Sequence, residues 1–514
     1  MAQDWSKLDP RTPVLVGVGQ AVERIDDPAW RGLNAADLAA AAARTALADC
    51  GVPDAASALV TLVGAVRTFE DSNAAPFPFG KPDKFPLAVA RRLGLGQVHA
   101  VLGKVGGQSP VTLVMDMAAR IHAGKAEAAL VFGAEAISNT RALVARGETR
   151  DWAETCEGEV EDEGLGLKGL LSPLAIAHGI VSPPIAYALM ENARAHRLGR
   201  DPAGYRTEMG RLFAPFSAVA AANPWSAAAQ AALSAEEIAT PSPRNRLVSD
   251  PYTIKLVARD QVNQGAAVLV MNLGAALKAG IARDRIVFLH GAALASEKEP
   301  LARPMLDAYP AADAAIAEAL RLAGLAIDAI GAFDFYSCFP IAVFNPIGTL
   351  GIAPDDPRGL TVTGGLPFFG GAGNNYSMHA IASMAERLRT AGKHGLVGAN
   401  GGFQSKYAAL VLSPDPAPWQ PMAHDAIQQT LDAVPDVVPM AEAAGTGTIE
   451  TLTVWRNKGE PAEAIAIGRT DKGQRFIANA ADPEVLARTA AGHGLGARVT
   501  LGHDGRRGRY AFVG

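Results

Sequence analysis

A glycine-rich turn, Val105-Gly106-Gly107-Gln108-Ser109-Pro110, is the first stretch whose residue types could do chemistry. The apolar residues that follow it, at positions 111, 114, 118 and 121, lie on one face of a helix. The backbone N–H groups at a helix start are free to bind carbonyl, carboxylate or phosphate oxygens. The sequence therefore predicts a ligand-binding turn with Gly107 and Ser109 as contacts. No base is assigned to the Ser109 hydroxyl, which argues against a serine nucleophile.

A second glycine-rich turn lies between residues 364 and 375 and also precedes an amphipathic helix. We expect the backbone of Gly370 and Gly371 to contact a ligand there. The side-chain amides of Asn374 and Asn375 lie at the helix start, where they could donate hydrogen bonds to a developing oxyanion. Asparagine is also a common turn residue, so a purely structural role stays open.

The third stretch is Tyr336-Ser337-Cys338-Phe339, which follows a short apolar strand. Tyr336 and Cys338 are two residues apart and would point to the same side of an extended segment. A tyrosine hydroxyl can donate or accept a proton when its surroundings shift its pKa, so the pair could do acid/base work. A cysteine at a strand end is also often only a small buried residue.

The elements around these stretches repeat. Strands and helices alternate, and the strands are apolar throughout, which predicts an α/β fold with a mostly parallel sheet covered on both faces. Val131 follows Gly107, and Val397 follows Gly373, by the same 24 residues. We interpret this as an internal duplication in which two helix N-termini face one central site.

The pattern changes between residues 137 and 250, which we interpret as an inserted loop domain lying over the site. It divides the first half into residues 1–136 and 251–280, and the second half covers residues 281–413. The insertion contains an acidic run, residues 154–163, without an interleaved histidine. This favours a solvated surface over a metal site.

Residues 414–514 have a different pattern. Three strand-like runs, a helix with Pro483 at its first position and two further strands follow a proline-rich linker. This is the element order of an all-β, OB-like barrel. Such barrels often bind nucleic acid, but no basic and aromatic strand face is visible, so we favour a docking or structural role.

Composition limits the protein class. The chain has 514 residues, of which 49% are hydrophobic and 19% charged, and a net charge of −5. This is a globular composition that gives no argument for nucleic acid or a membrane as the main partner. Its three cysteines form no CxxC pair, and neither a signal peptide nor a membrane-spanning run is visible. We expect a cytoplasmic protein.

The two βαβ-rich halves, the insertion after a first-half strand and the run Gly124 to Glu135 together resemble the thiolase superfamily. The resemblance covers about residues 10–413. It is closest to the sterol-carrier-protein-type thiolases and the thiolase-like type 1 proteins, which carry an additional C-terminal domain. It implies a duplicated thiolase fold with αβαβα layers, and it makes the tail that additional domain.

The resemblance also implies what is missing. Thiolases carry a nucleophilic cysteine in the first turn, and the family spacing places it at Gly107. A Gly-His-Pro motif is replaced by Gly370-Gly371-Ala372, and a His-Asp-Cys-Phe loop by Tyr336-Ser337-Cys338-Phe339. Only Cys338 remains, at a position that acts as an acid/base in the sterol-carrier type. Covalent acyl transfer through position 107 is therefore not available.

The resemblance leads us to expect an acyl-CoA-binding protein, similar to acetyl-CoA acetyltransferases but with its acyl-transfer residues largely replaced. The pantetheine chain would run under the insertion, and no further cofactor or metal is expected. Two alternatives stay open. One is a carbon–carbon lyase that uses Tyr336, as some thiolase-fold aldolases use tyrosines, and the other is a non-catalytic binder or scaffold whose tail docks a partner. The protein could be a monomer or a homodimer.

Overall fold

The structure is a computed structural model that describes residues 5–72, 77–167 and 169–513. Strands and helices alternate in the first part of the chain, as predicted. They are β1 (Pro13–Val22), α1 (Ala35–Asp49), α2 (Pro53–Leu59), β2 (Val60–Ala65), α3 (Phe69–Ser72), α4 (Phe85–Leu93), β3 (His99–Leu102), α5 (Ser109–His122) and β4 (Ala128–Ala136). Asn34 caps the N-terminus of α1, because its side-chain oxygen accepts a hydrogen bond from the Asp37 backbone N–H at 2.8 Å.

The next segment is mostly helical and contributes only the short strand β5 to the main sheet. Its elements are α6 (Ile137–Arg146), β5 (Val160–Asp162), α7 (Pro173–Ala177), α8 (Pro183–Arg197), α9 (Pro202–Ala222), α10 (Ala235–Ala239), β6 (Leu247–Ser249) and β7 (Tyr252–Thr253). Most acidic residues of the run 154–163 are exposed, as a solvated surface requires. The run also supplies β5, which pairs in parallel with the edge strand β3. Glu161 on β5 also forms an ion pair with Arg120 at 2.7 Å.

The second half returns to the sheet. Its elements are β8 (Asn263–Asn272), α11 (Leu273–Lys278), β9 (Val287–Ser296), α12 (Pro310–Ala323), β10 (Ile330–Asp334), α13 (Pro340–Leu350), α14 (Tyr376–Ala391), β11 (His394–Gly401) and β12 (Lys406–Ser413). The matching positions α5–β4 and α14–β11 confirm the duplication that the equal 24-residue spacing predicts.

Ten strands join in the order β10-β11-β12-β9-β1-β8-β4-β2-β3-β5. The prediction of a mostly parallel sheet was wrong. The central strands β12, β9, β1 and β8 form antiparallel neighbours, although elements elsewhere in the chain separate each pair in sequence. Parallel pairing is confined to the outer strands. The layers are as expected: α5 and α14 lie in contact between the two halves of the sheet, while α1 and α12 cover the outer faces.

The first C-terminal helix, α15 (Asp425–Asp432), packs on α12 and β9 of the body. The elements that follow build a closed barrel. They are β13 (Gly445–Asn457), β14 (Glu460–Thr470), β15 (Arg475–Ala480), α16 (Pro483–Ala490), β16 (Arg498–His503) and β17 (Gly508–Phe512). The strands pair in the order β13-β14-β15-β17-β16 and close through β16 and β13, as an OB-like domain requires. Strand β6 of the inserted segment adds to β13.

The barrel is packed against the rest of the protein. Its outward-facing isoleucines share one buried cluster with side chains of the inserted segment and of the stretch that follows β9. The barrel members are Ile465, Ile467 and Ile477, and the others are Ala175, Ile180, Ile185, Ala186, Leu189, Leu301 and Leu306. The barrel is therefore an integral part of the protein core.

Within the described residues, no helix combines the length and the apolar character needed to cross a membrane.

Candidate functional site

The two glycine-rich turns meet, as the duplication predicts. Gly106, with a left-handed φ of +129°, donates its backbone N–H to the Asn374 side-chain oxygen at 2.9 Å. The Ser377 hydroxyl donates to the Gly107 carbonyl at 2.7 Å. The start of α5 is thus held in place by residues at the start of α14, and the halves share one site.

Tyr336 occupies the place where a side chain on Gly107 would lie. A Cβ added to Gly107 would overlap the Tyr336 hydroxyl, and it would lie 2.5 Å from both Tyr336 Cε2 and the Asn400 carbonyl oxygen. Real Cβ atoms do not approach other heavy atoms so closely. The first turn therefore lacks a nucleophile and also lacks the space for one.

The Tyr336 hydroxyl is in a sheltered position. The residue is 7% exposed, and its ring packs edge to face on Tyr376 with centroids 5.4 Å apart. Burial, with a smaller contribution from Cys338, raises the pKa of Tyr336 above its ordinary value. Among the residues that the structure describes, none forms a hydrogen bond with this hydroxyl. Tyr336 is thus a neutral phenol whose proton is free for a ligand.

Cys338 lies beside two polar side chains, Asn400 and Tyr187. Its Sγ is 3.5 Å from Asn400 Nδ2, which also donates to the Tyr187 hydroxyl at 2.8 Å. Burial raises the pKa of Cys338 to about 12, although the polar groups of the neighbouring Tyr187 and Asn400 act against it. Cys338 is therefore a neutral thiol and a poor nucleophile at neutral pH.

Sequence reasoning missed Tyr187 and Asn400. Asn400 lies in the middle of a glycine-rich run, Gly398 to Gly402, near the end of β11, and an amide in that position is a usable signal. Tyr187 lies on α8 in the inserted segment, where no motif marks it. Its hydroxyl donates to the Gly402 carbonyl at 3.0 Å and accepts from the Gln404 backbone N–H at 3.1 Å.

The two asparagines of the second turn tie the halves together. Asn374 Nδ2 donates to the Arg67 carbonyl, and Asn375 Nδ2 donates to the Gly133 carbonyl, both at 2.7 Å. Each amide retains one further N–H, so these contacts leave the predicted donor role available. Ser109 is buried in the first turn of α5, and a Cβ on Gly103 would lie 2.9 Å from its hydroxyl oxygen.

Gly370 and Gly371 precede the two asparagines in the second turn. They are adjacent to Ala227 and Arg259, which line a cavity of about 440 Å³. Gly370 has a left-handed φ of +125°, and a Cβ on it would lie 3.0 Å from the Ala227 side chain, which lines this cavity. The Gly371 N–H donates to the Arg259 carbonyl at 2.7 Å. The cavity is lined by Glu23, Ile25, Asp26, Ser138, Arg146, Ala227, Ala228, Arg259 and Asn263. The Arg259 guanidinium forms no ion pair within the part of the chain described, so it is available to an anion.

The arrangement favours binding and proton donation over nucleophilic attack. The backbone at the two helix starts can hold a carbonyl oxygen. Tyr336 and Cys338 are both neutral acids at neutral pH, and no thiolate is available at the first turn.

Comparisons with known proteins agree with this architecture. The family model for the thiolase-like protein type 1 additional C-terminal domain matches residues 426–506. A comparison with curated proteins finds no match.

Solved structures extend the likeness to the whole chain. A monomeric SCP2-thiolase-like protein type 1 from Mycobacterium smegmatis is 40% identical, with a TM-score of 0.84 over 98% of this chain and 100% of that one. An Ltp2–ChsH2(DUF35) aldolase is 20% identical, with a TM-score of 0.56 over 79% of this chain and 98% of that one. An acetyl-CoA acetyltransferase from Syntrophomonas wolfei is 17% identical, with a TM-score of 0.56 over 78% of this chain and 98% of that one.

The last two likenesses show the thiolase fold alone. The first extends over both halves, the insertion and the barrel, and the family model independently matches most of the barrel. The chain belongs to the family of SCP2-thiolase-like proteins of type 1.

Proposed function

We propose that this protein binds acyl thioesters of coenzyme A without forming an acyl-enzyme. The observation that carries the proposal is the pairing of Gly107 with Tyr336 in a thiolase fold. The helix starts that would hold a thioester oxygen are retained, while the position of the nucleophile is filled by a neutral phenol. Such a site can bind and orient a thioester, but it has no thiolate to attack it.

The anionic part of the ligand would bind beside the second turn. The inserted segment supplies Ala227 and Ala228 to the wall of the 440 Å³ cavity there, and Gly370 of the turn packs next to Ala227. Arg146 and Arg259 also line it, and guanidinium groups bind phosphate oxygens in a bidentate way. The pantetheine chain would then run from this cavity towards Gly107.

Titration calorimetry with acetyl-CoA and longer acyl-CoAs tests the proposal. Arg259→Met should weaken binding about tenfold, because a charge-assisted hydrogen bond to phosphate is lost. The matched control is Arg321→Met, which removes an exposed arginine paired with Glu318 on α12 and should leave the affinity unchanged. Absence of binding by every CoA ester would overturn the proposal.

A second candidate is carbon–carbon bond cleavage, favoured by the unbonded Tyr336 hydroxyl at the centre of the site. In a retro-aldol reaction of a β-hydroxyacyl thioester, the hydroxyl proton passes to a water molecule and the Cα–Cβ bond breaks. The electron pair goes to the thioester as an enolate, which is then protonated at Cα. The products are an aldehyde or ketone and a shorter thioester. A neutral phenol is suited to the protonation step, and the phenolate that this step leaves takes back from water the proton that the substrate hydroxyl released.

Product analysis separates the candidates. Release of an aldehyde or ketone from β-hydroxyacyl-CoAs, lost in Tyr336→Phe with binding retained, would establish the lyase. Binding without any product would establish a non-catalytic binder or scaffold.

We also propose that the protein is a monomer. Strand β5 covers the outer edge of β3, which would otherwise present unpaired backbone groups to a second copy. The Mycobacterium smegmatis relative is described as monomeric. Light scattering should give the mass of one chain, and a dimer mass would contradict this.

A further inference from the structure

An arginine of the C-terminal barrel, Arg475, forms hydrogen bonds with the backbone of residues 301–304 in the thiolase body. Arg475, the first residue of β15, is 1% exposed. Its guanidinium donates to the carbonyls of Leu301 at 3.1 Å and Pro304 at 3.2 Å, and to that of Arg303. Three carbonyls within the four-residue stretch 301–304 are thus bound to the barrel by one side chain.

Arg303 continues the connection towards the site. It is also 1% exposed, and its Nη2 donates to the carbonyls of Phe403 at 2.8 Å and Gln404 at 3.0 Å. Its Nε donates to the Lys298 carbonyl at 2.8 Å. No carboxylate among the described residues lies within 4.0 Å of this guanidinium. A buried charge without a counter-ion costs free energy, so its carbonyl contacts must offset that cost.

The turn that Arg303 holds is strained. Gln404 has a φ of +50°, a left-handed conformation that residues other than glycine rarely adopt. Such strain persists only where the surroundings fix the backbone, and it is common at functional sites. The Gln404 N–H donates to the Tyr187 hydroxyl, which also accepts from the Asn400 amide next to Cys338. The turn therefore forms one wall of the candidate site.

The face that the barrel uses for this contact is itself informative. OB-like barrels bind oligonucleotides through the face of their second and third strands. Here those strands are β14 and β15, and their residues Ile465, Ile467 and Ile477 are buried against the body. The barrel face that binds ligands in other OB-like domains is here buried against the thiolase body.

We infer that Arg475 and Arg303 are positioning residues through which the C-terminal barrel sets the geometry of the turn at residues 400–404, and with it the surroundings of Cys338. The barrel is then a structural component of the site. The inference does not depend on the identity of the ligand.

Native-state alkylation tests this, because the chain has three buried cysteines and two of them, Cys50 and Cys156, serve as internal references. Arg475→Met and Arg303→Met keep the length of the side chain and remove its donors. The rate of labelling is measured for each cysteine by peptide mass spectrometry. The matched control is Arg498→Met, an exposed barrel arginine paired with Asp471.

Both variants should label Cys338 about tenfold faster, because the local opening of the turn becomes easier. Cys50 and Cys156 should be unchanged, as should all three cysteines in Arg498→Met. An unchanged Cys338, or an equal increase at all three cysteines, would overturn the inference. If a methionine variant does not fold, Arg475→Lys decides: a selective, smaller increase at Cys338 supports the inference, and no selective increase overturns it.

Discussion

At the scale of the residue, the candidate site is defined by Gly107 and Tyr336 together. The sequence predicts that no nucleophile is present at position 107. The structure adds that the vacated space is filled by a phenol from the other half of the chain. Restoring a sulfur at this position would therefore not restore a thiolase site.

Gly107→Cys should lower the free energy of unfolding by about 1–3 kcal/mol, because its Cβ overlaps the Tyr336 hydroxyl. Urea denaturation measures this. Gly96→Ala is the control, since a Cβ there meets no atom within 4 Å. Adding Tyr336→Ala to Gly107→Cys makes room, so the double variant should lose less than the sum of the two single losses. Equal midpoints for Gly107→Cys and the native protein would contradict the overlap.

Glu70 should make the free energy of unfolding depend on pH. Burial, with a smaller contribution from Asp71, raises the pKa of Glu70 from 4.5 to about 7. The folded protein then holds a proton that the unfolded chain has lost, so stability falls as the pH rises from about 4.5 to about 7. Glu70→Gln removes this dependence and should stabilise the protein by ~2 kcal/mol near pH 8. Urea midpoints at several pH values check it, and an identical pH profile in the variant would refute it.

At the scale of the element, helix α13 follows the loop that carries Tyr336 and Cys338, and the inserted segment holds its start. Glu191 on α8 is 0% exposed and accepts from the Ile341 N–H and the Tyr252 hydroxyl, both at 2.8 Å. It also accepts from the Tyr205 hydroxyl at 2.5 Å. The inserted segment thus helps to position the loop that carries Tyr336 and Cys338.

Glu191→Ala should lower the free energy of unfolding by about 3 kcal/mol or more, because three buried donors lose their acceptor. Glu191→Gln keeps one acceptor oxygen and should lose less. Chemical denaturation gives both values, with Glu208→Gln, a partly exposed carboxylate on α9, as the control. A loss in Glu191→Ala no larger than in the control would show that the contacts contribute little.

The sequence predicts some of these elements well. Helices α5 and α14 are amphipathic, and glycine turns mark their starts, so local spacing is sufficient to place them. Tyr187 and Glu191 could not be predicted, because their roles depend on contacts with residues more than 140 positions away. The prediction of mostly parallel strands was wrong for a related reason. Apolar runs indicate that a strand is buried, but they do not indicate which neighbour it pairs with or in which direction.

At the scale of the whole molecule, the barrel and the thiolase body form one unit. The order of strand-like runs predicts the barrel, and the family resemblance predicts its attachment. Neither predicts that Ile465, Ile467 and Ile477 are buried against the body, because the outward side of a barrel strand has no distinctive sequence pattern. The shared cluster and the arginine contacts couple the two parts.

Calorimetric unfolding should therefore show a single transition for the whole chain. Ile467→Ala, which removes a side chain only 1% exposed, should lower that transition by an amount equivalent to about 2–4 kcal/mol without splitting it. Two separate transitions in the native protein would show that the barrel is an independent domain.

The central claim is that the site binds an acyl thioester and cannot accept its acyl group. The most direct test is intact-mass spectrometry of the protein after incubation with acetyl-CoA and longer acyl-CoAs, with calorimetry on the same samples. The account predicts heat of binding and an unchanged protein mass. A mass increased by the acyl group, or no heat with any CoA ester, would contradict it.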